Sequence, residues 1–385
     1  MSPNTRPNVA SLEVYEGGRS PELVRAELGL SGPLVELGAN ERPFPPDDFV
    51  LAAVYEAARQ GHRYPDYTAK ELRRALVGHL AEEEARWNRR CEVAEEQIVV
   101  GCGSSSLIQQ LFLCYVSEGD EIVVPWPSYR PLLHNAQLCG AEVVRVGLVD
   151  ETADLPAMLR AITPRTKVIC LTNPNNPTST AVERASVTAF LEQVPSDIVV
   201  LVDEAYVEYS AGELYGSAVH DLVHFGNLVV ARTFSKTFGL AGFRVGFAVS
   251  NPAIVNDLRR VGFAFPVGNC AQAAALATVR SPQVLEAHLQ RVLEERERVT
   301  RELRQLGWRV ADSRTNFIWL PLGAPGASSD LARRLEAVGV VTRAFAEGLR
   351  VTIGTREEND VLLARLSELG PSLSSASRVE STLRS

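Results

Sequence analysis

The chain has 385 residues, 45% of them hydrophobic and 22% charged, enough to bury a large core and to hold more than one domain. Its formal net charge of -8 is spread along the chain without a basic block, which argues against a nucleic-acid partner. The N-terminal residues lack a charged stretch followed by an apolar one, and no run of about 18 apolar residues occurs, so neither an export signal nor a membrane span is expected and the protein is placed in the cytoplasm.

The first 45 residues, rich in Gly and Pro, are expected to wrap over the rest as an arm. Short β-branched runs then recur at 97–101 (QIVVG), 121–125 (EIVVP), 141–146 (AEVVRV), 167–172 (KVICLT), 197–204 (DIVVLVDE), 227–233 (NLVVART) and 245–250 (VGFAVS). Seven such strands with little polar alternation predict an α/β fold with a mostly parallel sheet covered on both faces by helices, among them 104–116 and 184–193. After residue 275 the pattern changes to a long charged helix, then WRV, NFIWLPL, a helix at 328–338, VVTRAF, LRVTIGT and a last helix near 357–369. The division expected is a large domain over 46–275, a smaller α+β domain over 276–370 joined by the arm 1–45, and a polar, Ser-rich, disordered tail over 371–385. The six cysteines show neither CxxC nor metal spacing and read as buried thiols of a reducing compartment, with no metal site.

Several polar groups stand at the ends of these apolar strands, at the edge where open α/β sheets bind ligands. In GCGSSS (101–106), Gly101 and Gly103 let the backbone approach a ligand, and Ser104 and Ser105 at a helix start suit a phosphate. The third glycine of a dinucleotide fingerprint is replaced by Ser106. LTNPNNPTST places the Asn176 amide at the same edge, although the segment alone reads equally as a plain turn. Asp203 ends another strand, where a solvated turn acid is the ordinary alternative, and Tyr206 adds a phenol three residues on.

Lysine is the rare cation here: the chain has three lysines and thirty-six arginines. Lys70 and Lys167 read as surface charges, but Lys236 follows a strand, and Arg244 lies eight residues beyond it across a glycine-rich segment. Arginine cannot form an imine and stays protonated, so a lysine kept here points to a nucleophile that loses its proton. Together a phosphate cradle, an acid, a phenol, an amide and an imine-forming lysine match the chemistry of pyridoxal phosphate. In that chemistry an acid keeps the pyridine nitrogen protonated while phenol and amide hold the ring oxygen.

The order N-N-P, D-E-A-Y, S-K with an arginine beyond the lysine resembles the class I/II aminotransferases of the fold-type I pyridoxal phosphate enzymes. More narrowly, LEVYEGGRSPELVRAELGL, LGANERPF, HRYPDY, DEAYVEY, RTFSKTFGLAGFRVGF and LRVTIGTREEN are similar to histidinol-phosphate aminotransferases, in unbroken order from about residue 12 to 370. The resemblance implies that Lys236 forms the imine with the cofactor and later shuttles a proton, and that Asp203 pairs with the ring nitrogen. It gives Tyr206 and Asn176 to the ring oxygen, Tyr129 to the ring face, and Ser104, Ser105, Ser235 and Arg244 to the phosphate. Tyr64 would reach the phosphate of a second subunit, which implies a homodimer. Arg350 would take an α-carboxylate or, with Arg343, a substrate phosphate, while Tyr15 closes the substrate pocket and Asn40 lies near the cofactor.

The chain departs from that pattern at four places. Ser105 and Ser106 replace an acidic or amide residue and a glutamate, Ser179 replaces a glycine, Arg42 a neutral residue, and Phe265 a tyrosine lining the substrate pocket. The implied activity is transfer of an amino group from histidinol phosphate or a similar donor to a 2-oxo acid such as 2-oxoglutarate. Aromatic amino-acid transaminases, threonine-phosphate decarboxylases and pyridoxal enzymes of secondary metabolism share the scaffold, as do non-catalytic effector-binding modules fused to winged-helix regulators.

Overall fold

In the longest apolar strands, odd and even residues face two different apolar layers. Val199 and Leu201 pack with Leu107, Phe112 and Leu132 on one side, while Val200 and Val202 pack with Leu76, Phe190 and Phe247 on the other. A strand buried on both faces has no reason to alternate polar and apolar residues. The computed structural model describes residues 4–14, 21–29, 34–86, 89–210, 212 and 214–371. The expected tail from 372 onward, and Tyr15, lie outside the described residues.

In chain order the strands are β1 (Val35–Glu36), β2 (Ile98–Gly101), β3 (Glu121–Trp126), β4 (Glu142–Val149), β5 (Thr152–Ala153), β6 (Thr166–Thr172), β7 (Val199–Asp203), β8 (Leu228–Thr233) and β9 (Gly246–Ser250). Beyond them come β10 (Phe317–Pro321), β11 (Val340–Val341), β12 (Arg343–Ala344) and β13 (Gly348–Thr352). The large sheet has eight strands in the order β2-β9-β8-β7-β6-β3-β4-β5, one more than the seven expected. The extra member, β5, folds back antiparallel on β4 through Asp150 and Glu151, both at positive φ (46° and 65°). β3, β4, β6, β7 and β8 run parallel, and β9 runs antiparallel to both its neighbours.

A third apolar layer gathers Val35 and Leu37 with Val299, Phe317, Leu331, Val351 and Leu362. It packs around the β10-β13-β12 sheet, the long helix Pro282–Gln305, and the helices Ala327–Glu336 and Arg356–Leu369. WRV at 308–310 forms no strand. β1 pairs in parallel with β11, and Thr352 N donates to Leu37 O at 2.8 Å, so the N-terminal segment is tied to this unit by backbone bonds. The cysteines are all free, but only Cys170 is fully buried and Cys102 is exposed, which corrects the expectation of six buried thiols. Among the described residues no helix is long and apolar enough to cross a membrane.

Candidate active site

The carboxyl ends of β2, β3, β6, β7 and β8 open into one cavity of about 1370 Å³, closed on its far side by β12–β13 and the segment around Asn40. Strand direction decides who reaches it. Each parallel strand delivers residues a few positions past its end: Ser104 and Ser105 after β2, Tyr129 after β3, Asn176 after β6, Tyr206 after β7, and Ser235 and Lys236 after β8. Antiparallel β9 begins at the same edge, so Arg244 enters from just before it.

The expected phosphate cradle is built by close approach. Gly103 sits at φ 72°, and a Cβ there would lie 2.7 Å from Arg244 Nη2. A Cβ on Gly246 would collide with the backbone N of Ser104. Neither position therefore tolerates a side chain. Arg244, itself at φ 53°, donates to Ser235 Oγ at 3.3 Å and to Ala241 O at 3.0 Å. Ser105 Oγ and Tyr129 Oη lie 2.9 Å apart. These groups face the dipole of the helix Gly103–Tyr115, and the set suits a dianion.

Around the phenol the network is tight. Tyr206 Oη accepts from Asn40 Nδ2 at 3.0 Å and from Asn176 Nδ2 at 3.3 Å. Arg350 Nη1 donates to Asn176 Oδ1, and its Nη2 to Gly38 O, both at 2.6 Å. The guanidinium lies 5.5 Å from the Phe317 ring and 5.4 Å from that of Phe345. Arg343 stands directly opposite Arg350 in the β12–β13 ladder and lines the same cavity.

Two titratable groups are displaced toward neutrality. Half-buried Lys236 donates from Nζ to Ala39 O at 3.2 Å, with Nζ 5.8 Å from the Tyr206 ring centroid. Burial, then the charges of Arg350 and Arg244, lower its pKa to about 7 against the pull of Glu41 and Asp203. Asp203 is 4% exposed and accepts one backbone bond, from Ala205 N at 3.2 Å. Burial raises its carboxyl to about 7, with Glu204 adding to the rise and Lys236 opposing it. A buried acid so thinly solvated fits a cationic ring nitrogen, which would supply the missing counter-charge. The residues present thus suit pyridoxal phosphate.

Of the residues expected at the site, Ser104, Ser105, Tyr129, Asn176, Asp203, Tyr206, Ser235, Lys236, Arg244, Asn40, Arg343 and Arg350 all line this cavity. Tyr64 and Phe265 do not line it. They stack on one another at 4.5 Å between centroids, Tyr64 81% and Phe265 39% exposed, with Phe265 at φ 53°. Phe265, expected at the substrate pocket, thus lies outside this chain's own cavity, on the surface patch that carries Tyr64.

Sequence reasoning missed Arg232. It is 1% exposed and sits on the sheet face opposite Asp203, where its Nε donates to Glu204 Oε2 at 3.0 Å and its Nη1 to Glu83 Oε2 at 2.6 Å. Glu208 lies 3.9 Å away and accepts from Thr237 Oγ1 at 3.1 Å. One guanidinium thus ties together the neighbours in sequence of both Asp203 and Lys236. The signal was an arginine inside the otherwise apolar run NLVVART. Arg42, another departure noted above, packs its guanidinium where a side chain on Gly239 would stand, three residues past Lys236.

Comparison with known proteins agrees with this geometry. The profile of the family described as Aminotransferase class I and II matches residues 33–366. An aromatic amino acid aminotransferase of Mycolicibacterium paratuberculosis is 40% identical over 364 residues, covering 94% of this chain and 97% of that protein. One from Corynebacterium efficiens is 41% identical over 334 residues, with 86% and 92% covered. Among solved structures, histidinol-phosphate aminotransferase from Sinorhizobium meliloti in complex with pyridoxal-5'-phosphate superposes with a TM-score of 0.86 at 26% identity, covering 96% of this chain and 98% of the other. The fold is shared with Thermus thermophilus aspartate aminotransferase with maleate (TM-score 0.82, 22% identity, 96% and 100% covered).

Proposed function

The chain belongs to the class I and II aminotransferases, pyridoxal phosphate enzymes, and from that premise we propose that it moves the amino group of an aromatic amino acid to a 2-oxo acid. The carrying observation is Arg350: a guanidinium anchored by Asn176 and Gly38 and set between the rings of Phe317 and Phe345. Such a fork suits an α-carboxylate, and the Phe345 ring, which lines the cavity while Phe317 is buried behind Arg350, suits an apolar side chain next to it. The 40% identity to aromatic amino acid aminotransferases supports the same choice.

Pyridoxal phosphate, when bound, supplies an electron sink for the charge left at the substrate Cα. The chain's own residues do the rest. Ser104, Ser105, Ser235 and Arg244 would hold the phosphate, Asp203 would keep a proton on the ring nitrogen, and Asn176 and Tyr206 would hold the ring oxygen. Lys236, its pKa lowered to about 7, gives up its proton as pH rises through that value, and Nζ is then free to take the Cα proton. Arg350 fixes the carboxylate so that the Cα–H bond meets Nζ. The exposed Tyr64, braced by Phe265, is assigned to the phosphate site of a second copy, which makes the homodimer the working unit. Six free cysteines fit a cytoplasmic setting.

A histidinol-phosphate donor is the second reading, favoured by Arg343 lying directly opposite Arg350 where a dianionic phosphate needs two cations. A donor screen that follows the visible absorbance of the bound cofactor separates them. Phenylalanine and tyrosine are expected to deplete the band with higher kcat/KM than histidinol phosphate. The reverse order installs the second reading, release of CO2 from threonine phosphate without keto acid installs a decarboxylase, and no response to any amine removes the transaminase.

A further inference from the structure

A transaminase of this kind must accept two unlike substrates in one cavity, and the part of its lining built on β3 and β4 bears on how. Trp126 ends β3, and Arg145 on neighbouring β4 lays its guanidinium 4.8 Å from the centre of the Trp126 ring. Arg130, just ahead of the helix Pro131–Cys139, and His134 on its first turn line the same wall. Glu13 enters from the segment after the helix Pro7–Ala10, which is pinned to that wall by Asn8 Nδ2 donating to Leu138 O at 2.6 Å. Among the described residues neither Arg130 nor Arg145 has an ion-pair or hydrogen-bond partner for its guanidinium.

In a chain of net charge -8, two guanidiniums without an ion-pair partner among the described residues, on a wall where Glu13 is the acidic neighbour and Glu41 and Asp203 lie elsewhere along the cavity, make a local positive field that favours an anion. Stacking on Trp126 limits the conformations Arg145 must lose to bind it. The α-carboxylate has its own candidate partner in Arg350, which with Arg343 belongs to β12–β13, a sheet separate from that of β3 and β4. An aromatic donor carries no second carboxylate. A dicarboxylic 2-oxo acid has a second carboxylate at its far end, separated from the first by its carbon chain.

We propose that Arg145 and Arg130 form a distal anion subsite for the second carboxylate of a dicarboxylic 2-oxo acid acceptor; this rests on the transaminase reading above. When an aromatic substrate occupies the cavity, the apolar faces of Trp126 and Phe345 serve it instead. The wall thus selects the acceptor, while Arg350 is common to both substrates.

The test uses the holoenzyme loaded with amine, with 2-oxoglutarate and phenylpyruvate as alternative acceptors. In Arg130→Ala/Arg145→Ala the ratio of kcat/KM for 2-oxoglutarate over phenylpyruvate is expected to fall at least about tenfold, through KM, as expected for losing a charged hydrogen-bond partner. Arg145→Lys, which keeps a cation over Trp126, is expected to lose less than Arg145→Ala. A ratio within about threefold of wild type, or an equal fall for both acceptors, overturns the subsite. Selective loss of a phosphate-bearing amine with 2-oxoglutarate spared overturns the assignment to a carboxylate and gives the wall to phosphate. A wild-type holoenzyme whose absorbance no amine alters overturns the transaminase reading itself, a result the variants are not needed to reveal.

Discussion

The two ends of the cavity are built on different terms. At the cofactor end, Asn40, Asp203, Tyr206 and Asn176 are 1%, 4%, 3% and 9% exposed, and most hold one another by hydrogen bonds across elements distant in sequence. Behind them Arg232 clamps Glu204 and Glu83 from the other face of the sheet. At the substrate end Arg130 and Arg145 are exposed, and His134 and Trp126 only half-buried. A preorganised end sets the chemistry at little reorganisation cost, and a looser end lets two substrates take turns. Chemistry and selectivity are thus held by separate structural means.

The difference can be broken most severely at Asp203. Asp203→Asn removes the charge that would face the ring nitrogen, and kcat is expected to fall on the order of 10²–10³-fold. In the cofactor-free protein the same change has the opposite value. The folded carboxyl titrates at about 7, above its ordinary 3.8, so the stability it contributes is full below about pH 4 and is lost as pH rises through 7. Asparagine never ionises, so the cofactor-free variant should melt higher than wild type at about pH 8 and gain much less at about pH 5. Equal differences at both pH values would contradict the buried, unpaired acid.

Arg232→Gln tests whether the cofactor end depends on its hidden clamp. Removing the cation leaves Glu204 and Glu83 buried without a counter-charge, and unfolding in urea should show a loss of about 3–5 kcal/mol. A loss below about 1 kcal/mol would mean that the carboxylates simply protonate in place. On β12, Arg343→Ala sharpens the contrast: KM for histidinol phosphate should rise about tenfold, and KM for phenylalanine by less. Similar rises would show that Arg343 serves the α-carboxylate. The smallest effect is at Ser179, whose φ of 66° suits glycine and whose buried Oγ has no partner. Ser179→Gly is expected to stabilise by about 0.5–1 kcal/mol in thermal unfolding, and a loss would assign the hydroxyl a role.

Much of the cofactor end was legible in the sequence because its residues lie at or shortly after the ends of apolar strands. A strand buried on both faces can present polar groups only where it ends. Strand direction was not legible, since periodicity is the same for parallel β8 and antiparallel β9. β5 escaped notice because Asp150-Glu151 turns at positive φ without the glycine that usually marks such a hairpin. Arg232 was hidden by the habit of reading NLVVART as one apolar run. The substrate end was less legible for a physical reason: Arg130, Arg145 and Glu13 are ordinary surface residues until β3, β4 and the N-terminal helix bring them to one wall. The contact between Phe265 and Tyr64, some two hundred residues earlier in the chain, was not legible, because nothing local in either segment points to the other.

The central claim is that amino-group transfer passes through Lys236. Phenylalanine added to the holoenzyme should deplete the visible absorbance of the bound cofactor, and 2-oxoglutarate should restore it, while Lys236→Ala should show neither change. An unresponsive wild type, or a cycle that survives in Lys236→Ala, would contradict the account.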